Sequence, residues 1–173
     1  FFSEGIVGHI PFAEPFCPVL SQIVFQAARE VEATVHAKGT YVVMEGPAFS
    51  TRAESRLYRS WGADIIGMTA LPEAKLAREA EICYAIIACV TDYDSWKELS
   101  EPVTVDVILN TLRQNADIAK RVIKLAVSMI PEMRQCGCAT ALETAIVTAP
   151  EFIPPDQKEK LNLLIGKYLK GDK

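Results

Sequence analysis

The sequence has few residues of the kinds that mark nucleic-acid, membrane or histidine-metal chemistry. Only 2 of its 173 residues are histidine, and a formal net charge of −4 provides no basic surface for nucleic acid. No apolar run approaches the roughly 18 residues that a membrane-spanning helix needs. No signal-peptide pattern opens the sequence. We therefore expect a cytoplasmic protein without a nucleic-acid or membrane partner.

Glycine-rich phosphate loops are also missing. The 9 glycines are scattered, and none falls in the spacing of a P-loop or of a dinucleotide-binding turn. The chain starts at Phe1-Phe2-Ser3, without a methionine or a helix-capping signal. We expect it to be the later part of a longer protein, with part of any anion site lying upstream.

The apolar residues alternate between strand-like and helix-like spacing along the chain. Strands are predicted over residues 4–10, 40–44, 64–68 and 84–90. Helices are predicted over residues 20–36, 52–61, 72–81, 105–130 and 155–169. Strands that alternate with helices indicate an α/β fold with a largely parallel sheet flanked by helices. No linker or repeat divides the chain, so we predict a single domain over residues 1–173.

The strongest candidate for chemistry is the pair Asp92 and Asp94, which directly follows the predicted strand 84–90. A run this long and β-branched is typical of a strand buried on both faces, and ligands bind at the carboxyl ends of parallel strands. Side chains two residues apart on extended backbone point to the same side. Both acids can then address one ligand, and we expect one of them to keep its proton near neutral pH. The alternative is a pair of solvated turn acids.

Polar and aromatic side chains also follow the other three predicted strands. They are His9 after the first strand, Phe49 and Ser50 after the second, and Met68 and Thr69 after the third. Because the carboxyl ends of parallel strands meet at one edge, we expect these side chains to gather there with the two acids. The set suits a flat heterocycle attached to a polar sugar.

Five sequence words in this order resemble those of the trimeric purine nucleoside phosphorylase family, and most closely its methylthioadenosine phosphorylase branch. The words are His9-Ile-Pro-Phe-Ala-Glu-Pro-Phe-Cys-Pro18, Glu45-Gly-Pro-Ala-Phe-Ser-Thr-Arg-Ala-Glu-Ser55, Trp61-Gly-Ala-Asp-Ile-Ile-Gly-Met-Thr69, Pro72-Glu73 and Thr91-Asp-Tyr-Asp-Ser-Trp96. The resemblance implies the family's mixed, largely parallel sheet, and a single phosphorylase domain that here lacks its N-terminal phosphate-loop part. It also implies a homotrimer, or a hexamer of trimers, that uses inorganic phosphate as co-substrate and no cofactor.

The resemblance further implies a role for each candidate residue in phosphorolysis. Asp92 would protonate N7 of the departing purine as general acid, and Asp94 would accept from an exocyclic 6-amino group. The other implied contacts are Phe49 on the purine face, Ser50 near the base, Met68 beneath the ribose and Thr69 on phosphate.

Substrate choice follows from differences from the 6-oxopurine branch of the family. That branch places Asn and Lys where this chain has Asp92 and Asp94, and Glu where it has Ser50; a carboxylate suits an amine better than a carbonyl. Val105 and Ile108 stand where that branch uses a histidine to reach the 5′-hydroxyl, and His9 would line the same pocket edge. The implied reaction is phosphorolysis of S-methyl-5′-thioadenosine to adenine and 5-methylthioribose 1-phosphate.

Other interpretations of the same residues remain open. Without the resemblance, we interpret His9 as a structural histidine. We then interpret four other candidates as packing residues: Phe49, Met68, Val105 and Ile108. Within the enzyme class, the alternative is a broader purine nucleoside phosphorylase or a methylthioinosine phosphorylase. From another class, the alternative is a non-catalytic nucleoside-binding subunit.

Five cysteines are widely spread in the sequence, at positions Cys17, Cys83, Cys89, Cys136 and Cys138. No second cysteine or histidine cluster lies near the Cys136-Gly-Cys138 word in sequence, so we predict no zinc or other metal site. Reduced thiols are the expectation for a cytoplasmic protein, and a disulfide is the alternative.

Overall fold

The computed structural model describes residues 1–97 and 105–169, which form two compact units. Unit 1 consists of residues 1–20, 72–85 and 132–169, and unit 2 consists of residues 21–71, 86–97 and 105–131. The chain therefore passes between the units several times. The assignment of both units to one phosphorylase domain stays a prediction.

Unit 2 contains a parallel pair of strands joined by a helix. Strand β1 (Tyr41–Val43) pairs with β2 (Ile65–Gly67) in the register Tyr41 to Ile65, and helix α2 (Arg52–Ser60) lies between them in the chain. Parallel neighbours need such a crossover because a tight hairpin can join only antiparallel strands. The predicted strands over 40–44 and 64–68 and the predicted helix over 52–61 are confirmed.

Helix α2 begins where the sequence supplies a complete capping box. The Thr51 hydroxyl accepts from the Glu54 backbone N–H at 3.2 Å, and the Glu54 carboxylate accepts from the Thr51 N–H at 2.7 Å. These bonds satisfy two donors that a helix start otherwise leaves unpaired. The chain leaves the helix through Gly62, whose φ of +79° suits a residue without a Cβ. The start of α2 is thereby fixed by hydrogen bonds between Thr51 and Glu54.

The core of unit 2 packs a long helix against the first one. Helix α1 (Pro18–Glu30) contributes Ala27 and Ala28, and helix α4 (Val105–Met129) contributes Val122 and Ala126. The small alanines allow close approach of the two backbones. The α4 prediction is confirmed, but α1 ends at Glu30 rather than at His36. Glu32 has a φ of +61°, the left-handed conformation typical of a residue just past a helix end.

Unit 1 surrounds a second apolar core. Helix α3 (Ala70–Glu79) begins at the last two residues of a unit 2 segment and continues in unit 1. The last predicted helix, over 155–169, is divided into α5 (Pro155–Lys160) and α6 (Asn162–Leu169). Short 3₁₀ helices occupy Gly137–Thr140 and Pro150–Phe152. The buried side chains of this core are Ile6, Leu142, Ala145, Ile153, Leu161 and Ile165.

A buried carboxylate fixes the last helix of unit 1. Glu81 accepts hydrogen bonds from the Leu142 backbone N–H and the Tyr168 hydroxyl, and it forms an ion pair with Lys167. Burial by itself would raise the pKa of Glu81, but these donors outweigh it and hold the pKa below its ordinary value. The carboxylate is fully partnered, and we assign it a structural role.

Two predicted strands do not form as predicted. Residues 4–10 contribute only an isolated antiparallel bridge between Gly8 and Ile146. Residues 84–90 join no ladder with another described strand; Tyr84–Ile87 are half-buried, and Ala88–Val90 are exposed. An apolar run predicts burial, but a ladder also needs strands on either side. Within the described residues, the largely parallel sheet is therefore a single parallel pair.

Among the helices that the structure describes, none is both long enough and apolar enough to cross a bilayer.

Candidate functional site

The segment 91–97 is fastened to the start of α2 by three hydrogen bonds. The Ser50 hydroxyl donates to the Asp94 carboxylate at 2.6 Å, and the Ser95 hydroxyl donates to the Ser50 carbonyl at 2.9 Å. The Trp96 backbone N–H donates to the Ser55 hydroxyl at 3.1 Å. Ser50 and Ser55 are both buried. The structure thus brings two of the predicted site residues, Ser50 and Asp94, into direct contact.

Asp94 is held in its ionised form by these serines. Partial burial would raise its pKa, but hydrogen bonds from Ser50, Ser55 and Ser95 outweigh burial and lower the pKa below the ordinary 3.8. An ionised carboxylate is purely a hydrogen-bond acceptor. Asp94 therefore presents an acceptor for a ligand amine, whereas it offers no proton at neutral pH.

Asp92 and Phe49 are exposed residues: Asp92 lies in the segment 91–97, and Phe49 directly precedes Ser50. The Asp92 carboxylate accepts from the Thr91 hydroxyl at 2.5 Å and is otherwise exposed to solvent. The Phe49 ring is 83% exposed. A large aromatic face next to a buried serine is a surface on which a flat apolar group can stack. The role of Asp92 as a general acid stays a prediction.

The ends of β1 and β2 lie next to each other. The Met44 backbone N–H donates to the Gly67 carbonyl at 2.9 Å, which continues the pairing beyond the strands. A Cβ on Gly46 would lie 2.7 Å from the Met68 sulfur, so Met68 packs directly against this glycine. Thr69 follows Met68 and is exposed. The predicted convergence of these two strand ends is confirmed.

The structure does not test the placement of three other predicted site residues. His9 is exposed in unit 1, where its backbone N–H donates to the Ala145 carbonyl at 2.8 Å. Val105 and Ile108 lie in the first turn of α4, but their side chains fall outside what the structure describes. The roles assigned to all three stay predictions.

Comparison with known proteins decides the family. Residues 1–128, about three quarters of the chain, match the Phosphorylase superfamily. The chain belongs to that superfamily. The sequence words at 9–18, 45–55, 61–69 and 91–96 all lie within the matched range.

Individual relatives agree with the family match. The chain is 56% identical to the S-methyl-5′-thioadenosine phosphorylase of Geobacter sulfurreducens over 98% of this chain and 59% of that protein. It is 53% identical to the protein of the same name from Koribacter versatilis, over 97% of this chain and 58% of that protein. The chain therefore spans about three fifths of the length of the curated relatives it matches.

Solved structures extend the likeness to the fold. A methylthioadenosine phosphorylase from an antarctic soil metagenomic library matches with a TM-score of 0.88 and 46% identity, over 94% of this chain and 58% of that one. A mutant adenosine/methylthioadenosine phosphorylase from Schistosoma mansoni, in complex with methylthioadenosine, matches with a TM-score of 0.69 and 39% identity. That match covers 75% of this chain and 49% of the other. The predicted phosphorylase-like architecture is thus confirmed for the part of the fold that the chain covers.

Sequence reasoning missed the serines that hold Asp94 in place. Ser55 and Ser95 were not among the predicted site residues, although both bond to Asp94 or to its partner. A hydroxyl carries no periodic signal, and serine is common in loops and at helix ends. The available signal was the capping box at Thr51 and Glu54, which fixes the start of α2 and so directs Ser50 and Ser55 toward the acid segment.

The Asp94 interactions predict how the stability of this chain depends on pH. The pKa of the Asp94 carboxyl is lower in the folded state than its unfolded value of 3.8. Its ionised form therefore stabilises the fold fully above pH 3.8, and this stabilisation is lost as pH falls through the folded pKa. We expect the gap in urea midpoint between the wild type and Asp94→Asn to be largest at neutral pH and to shrink below pH 3.8. A gap that stays constant down to the acid-unfolded state would contradict the assignment.

The cysteines require a correction to the sequence analysis. Cys17, Cys83, Cys136 and Cys138 are not spread in space: their sulfur atoms all lie within 4.8 Å of one another in unit 1. Burial raises the pKa of Cys83 to about 11. Burial would also raise that of Cys136, but hydrogen bonds from the Cys138 backbone and from Cys83 lower it to about 7. The large separation of these cysteines in sequence did not predict that their sulfur atoms are close in space. Only Cys89 is exposed and outside the cluster.

Proposed function

We propose that the complete protein catalyses phosphorolysis of S-methyl-5′-thioadenosine, releasing adenine and 5-methylthioribose 1-phosphate. The observation that carries the proposal is the lowered pKa of Asp94, whose carboxylate accepts from Ser50, the residue that follows the exposed Phe49. The names of the relatives support it, since they are methylthioadenosine phosphorylases or an adenosine/methylthioadenosine phosphorylase.

The 6-amino group of adenine is the natural partner of Asp94 in this proposal. An ionised carboxylate accepts from an exocyclic amine, whereas a 6-oxo group would bring one acceptor against another. A buried polar group that loses its partner costs about 1–3 kcal/mol, which corresponds to roughly tenfold or more in specificity. Ser50 keeps Asp94 oriented while it makes this contact.

Asp92 would act on N7 as the bond to the sugar breaks. The purine leaves with growing negative charge, and protonation of N7 neutralises that charge in the transition state. Stacking of the base on Phe49 would cover both the ring and the neighbouring acid segment. Such covering removes water from Asp92, which favours the neutral carboxyl that can donate a proton.

Phosphate and ribose would be held at the ends of the strand pair. The exposed Thr69 hydroxyl can donate to a phosphate oxygen, and Met68 presents an apolar surface next to Gly46 for the sugar. His9 is the proposed contact at the edge of the sugar pocket. Inorganic phosphate is the attacking co-substrate, and the proposal requires no cofactor.

The 5′ pocket is proposed to include Val105 and Ile108 at the start of α4. Apolar side chains there favour an alkylthio group over a hydroxyl. We expect Val105→His to shift the ratio of kcat/KM toward adenosine over methylthioadenosine by about tenfold, because the imidazole can bond a 5′-hydroxyl. Val105→Leu, which keeps the pocket apolar, serves as the control. An unchanged kcat/KM ratio in Val105→His would indicate that Val105 is only a packing residue.

The assembly is proposed to be a homotrimer or a hexamer of trimers. Several apolar side chains of α4 are more than half exposed, including Val107, Ile123 and Val127. Exposed apolar faces of this extent commonly mark protein interfaces. Light scattering of the complete protein would give its mass; a stable monomer would contradict this proposal.

A substrate series tests the function. We expect the complete protein to cleave methylthioadenosine with the highest kcat/KM, followed by adenosine, with inosine lowest. Preferred cleavage of inosine would favour a broader purine nucleoside phosphorylase and remove the role of Asp94. Binding of methylthioadenosine without cleavage, in the presence of phosphate, would favour a nucleoside-binding subunit instead.

A further inference from the structure

Four cysteines from three separate parts of the chain meet in unit 1. Cys17 directly precedes α1, Cys83 follows α3, and Cys136 and Cys138 flank Gly137 at the start of a 3₁₀ helix. Cys17 and Cys138 are buried, while Cys83 and Cys136 are half-buried. We propose that these four thiolates form a structural site for one soft, four-coordinate divalent cation, with Zn²⁺ as the ion that fits best.

The spacing of the sulfur atoms suits a single shared ion. A zinc ion bound tetrahedrally at about 2.3 Å from each sulfur places the sulfurs about 3.8 Å apart. The Cys83 and Cys136 sulfurs lie 3.4 Å apart, and all four lie within 4.8 Å of one another. Small side-chain movements therefore complete the tetrahedron. The four cysteines are free thiols in the structure, and a single ion can bind all four sulfur atoms at once.

Backbone donors support the negative charge that such a site carries. The Leu20 N–H in the first turn of α1 points at the Cys17 sulfur at a distance of 3.4 Å. Donors in the shell around a metal orient its ligands and stabilise thiolate charge. Arg78 lines a cleft of about 230 Å³ whose walls also include Cys136 and Cys138. The cleft borders two of the four proposed ligand residues, and the guanidinium supplies positive charge at the same wall.

The site would tie distant segments together rather than take part in the proposed reaction. Four protein ligands leave no open coordination position for a substrate, which is the pattern of structural zinc. Its ligands join the start of α1, the end of α3 and the segment that leads to the buried Leu142. Because the unfolded chain does not hold such a site preformed, the binding free energy of the ion adds to the stability of unit 1.

Metal analysis of the complete protein tests the proposal. The protein is purified with a reductant and without chelators, incubated with zinc sulfate and dialysed, and its zinc is measured by mass spectrometry. We expect one zinc ion per chain in the wild type and in Cys89→Ser, the matched control for the exposed cysteine outside the cluster. We expect loss of that ion in Cys138→Ser. A wild type without bound zinc, or equal zinc in wild type and Cys138→Ser, would overturn the proposal.

Two measurements on the wild type alone keep the test decisive if Cys138→Ser does not fold. Cobalt in place of zinc is expected to give intense thiolate-to-cobalt charge-transfer bands and the visible bands of tetrahedral coordination; a pale octahedral spectrum would overturn the site. Among these five cysteines, native alkylation is expected to modify only Cys89, and a chelator is expected to expose the other four thiols. Two disulfides in the reduced preparation, or four thiols that react without a chelator, would count against the metal. None of these readouts depends on the proposed enzymatic activity.

Discussion

Replacement of Asp92 by asparagine is expected to lower kcat for methylthioadenosine phosphorolysis by at least about a hundredfold. The amide cannot transfer a proton to N7, so the purine must leave with its full negative charge. The Asp92 side chain is exposed and bonds only to the neighbouring Thr91 hydroxyl among the described contacts, so the fold should tolerate the change. Steady-state kinetics at saturating phosphate, with circular dichroism as a check on folding, measures the effect.

A control variant and an altered substrate separate the chemical role of Asp92 from a general loss of charge. Asp117→Asn removes an exposed carboxylate from α4 and should leave kcat unchanged. A methylthioadenosine analogue methylated at N7 already carries the positive charge that protonation would supply. We expect Asp92→Asn to cleave this analogue nearly as fast as the wild type does. Equal losses on both substrates, or full turnover of methylthioadenosine by the variant, would remove Asp92 from the mechanism.

Replacement of Asp94 by asparagine is expected to change which base the enzyme prefers. The amide can donate as well as accept, so it can face a 6-oxo group that the ionised carboxylate repels. We expect the ratio of kcat/KM for methylthioadenosine over methylthioinosine to fall by about tenfold or more. Because Ser50 can still donate to the amide oxygen, the loop should keep its place.

The matched control for Asp94→Asn is Asp64→Asn. Asp64 lies directly before β2 and accepts from the Thr40 backbone at 2.6 Å, away from the acid segment in the hydrogen-bond network of unit 2. Its replacement removes the same charge and should leave the base preference unchanged. If the base preference shifts equally in both variants, or in neither, Asp94 does not contact the group at the 6-position of the purine.

Local signals in the sequence predicted most of the elements near the candidate site. The helix predicted over 52–61 is α2 (Arg52–Ser60), and the helix predicted over 105–130 is α4 (Val105–Met129). Helix caps and helical periodicity act over a few residues, so a single sequence records them well. The parallel pair β1 and β2 followed from the helix between the two strands.

Other features depend on contacts between distant residues, which the sequence does not record. The run 84–90 has the composition of a buried strand, yet a strand also requires neighbours, and the described residues provide no ladder for it. Ser95 and Ser55 hold the acid segment across about 40 residues of sequence. The four clustered cysteines come from three segments of unit 1 that only folding brings together. The strand ends that did converge as predicted are joined by a single short crossover.

The most direct test of the proposed function is the release of adenine from methylthioadenosine by the complete protein, with and without inorganic phosphate. Phosphorus NMR of the same mixtures identifies the sugar product. We expect adenine release only with phosphate, together with an equal amount of a sugar 1-phosphate resonance. Equal adenine release without phosphate would identify a hydrolase, and no release under either condition would contradict the proposed catalysis.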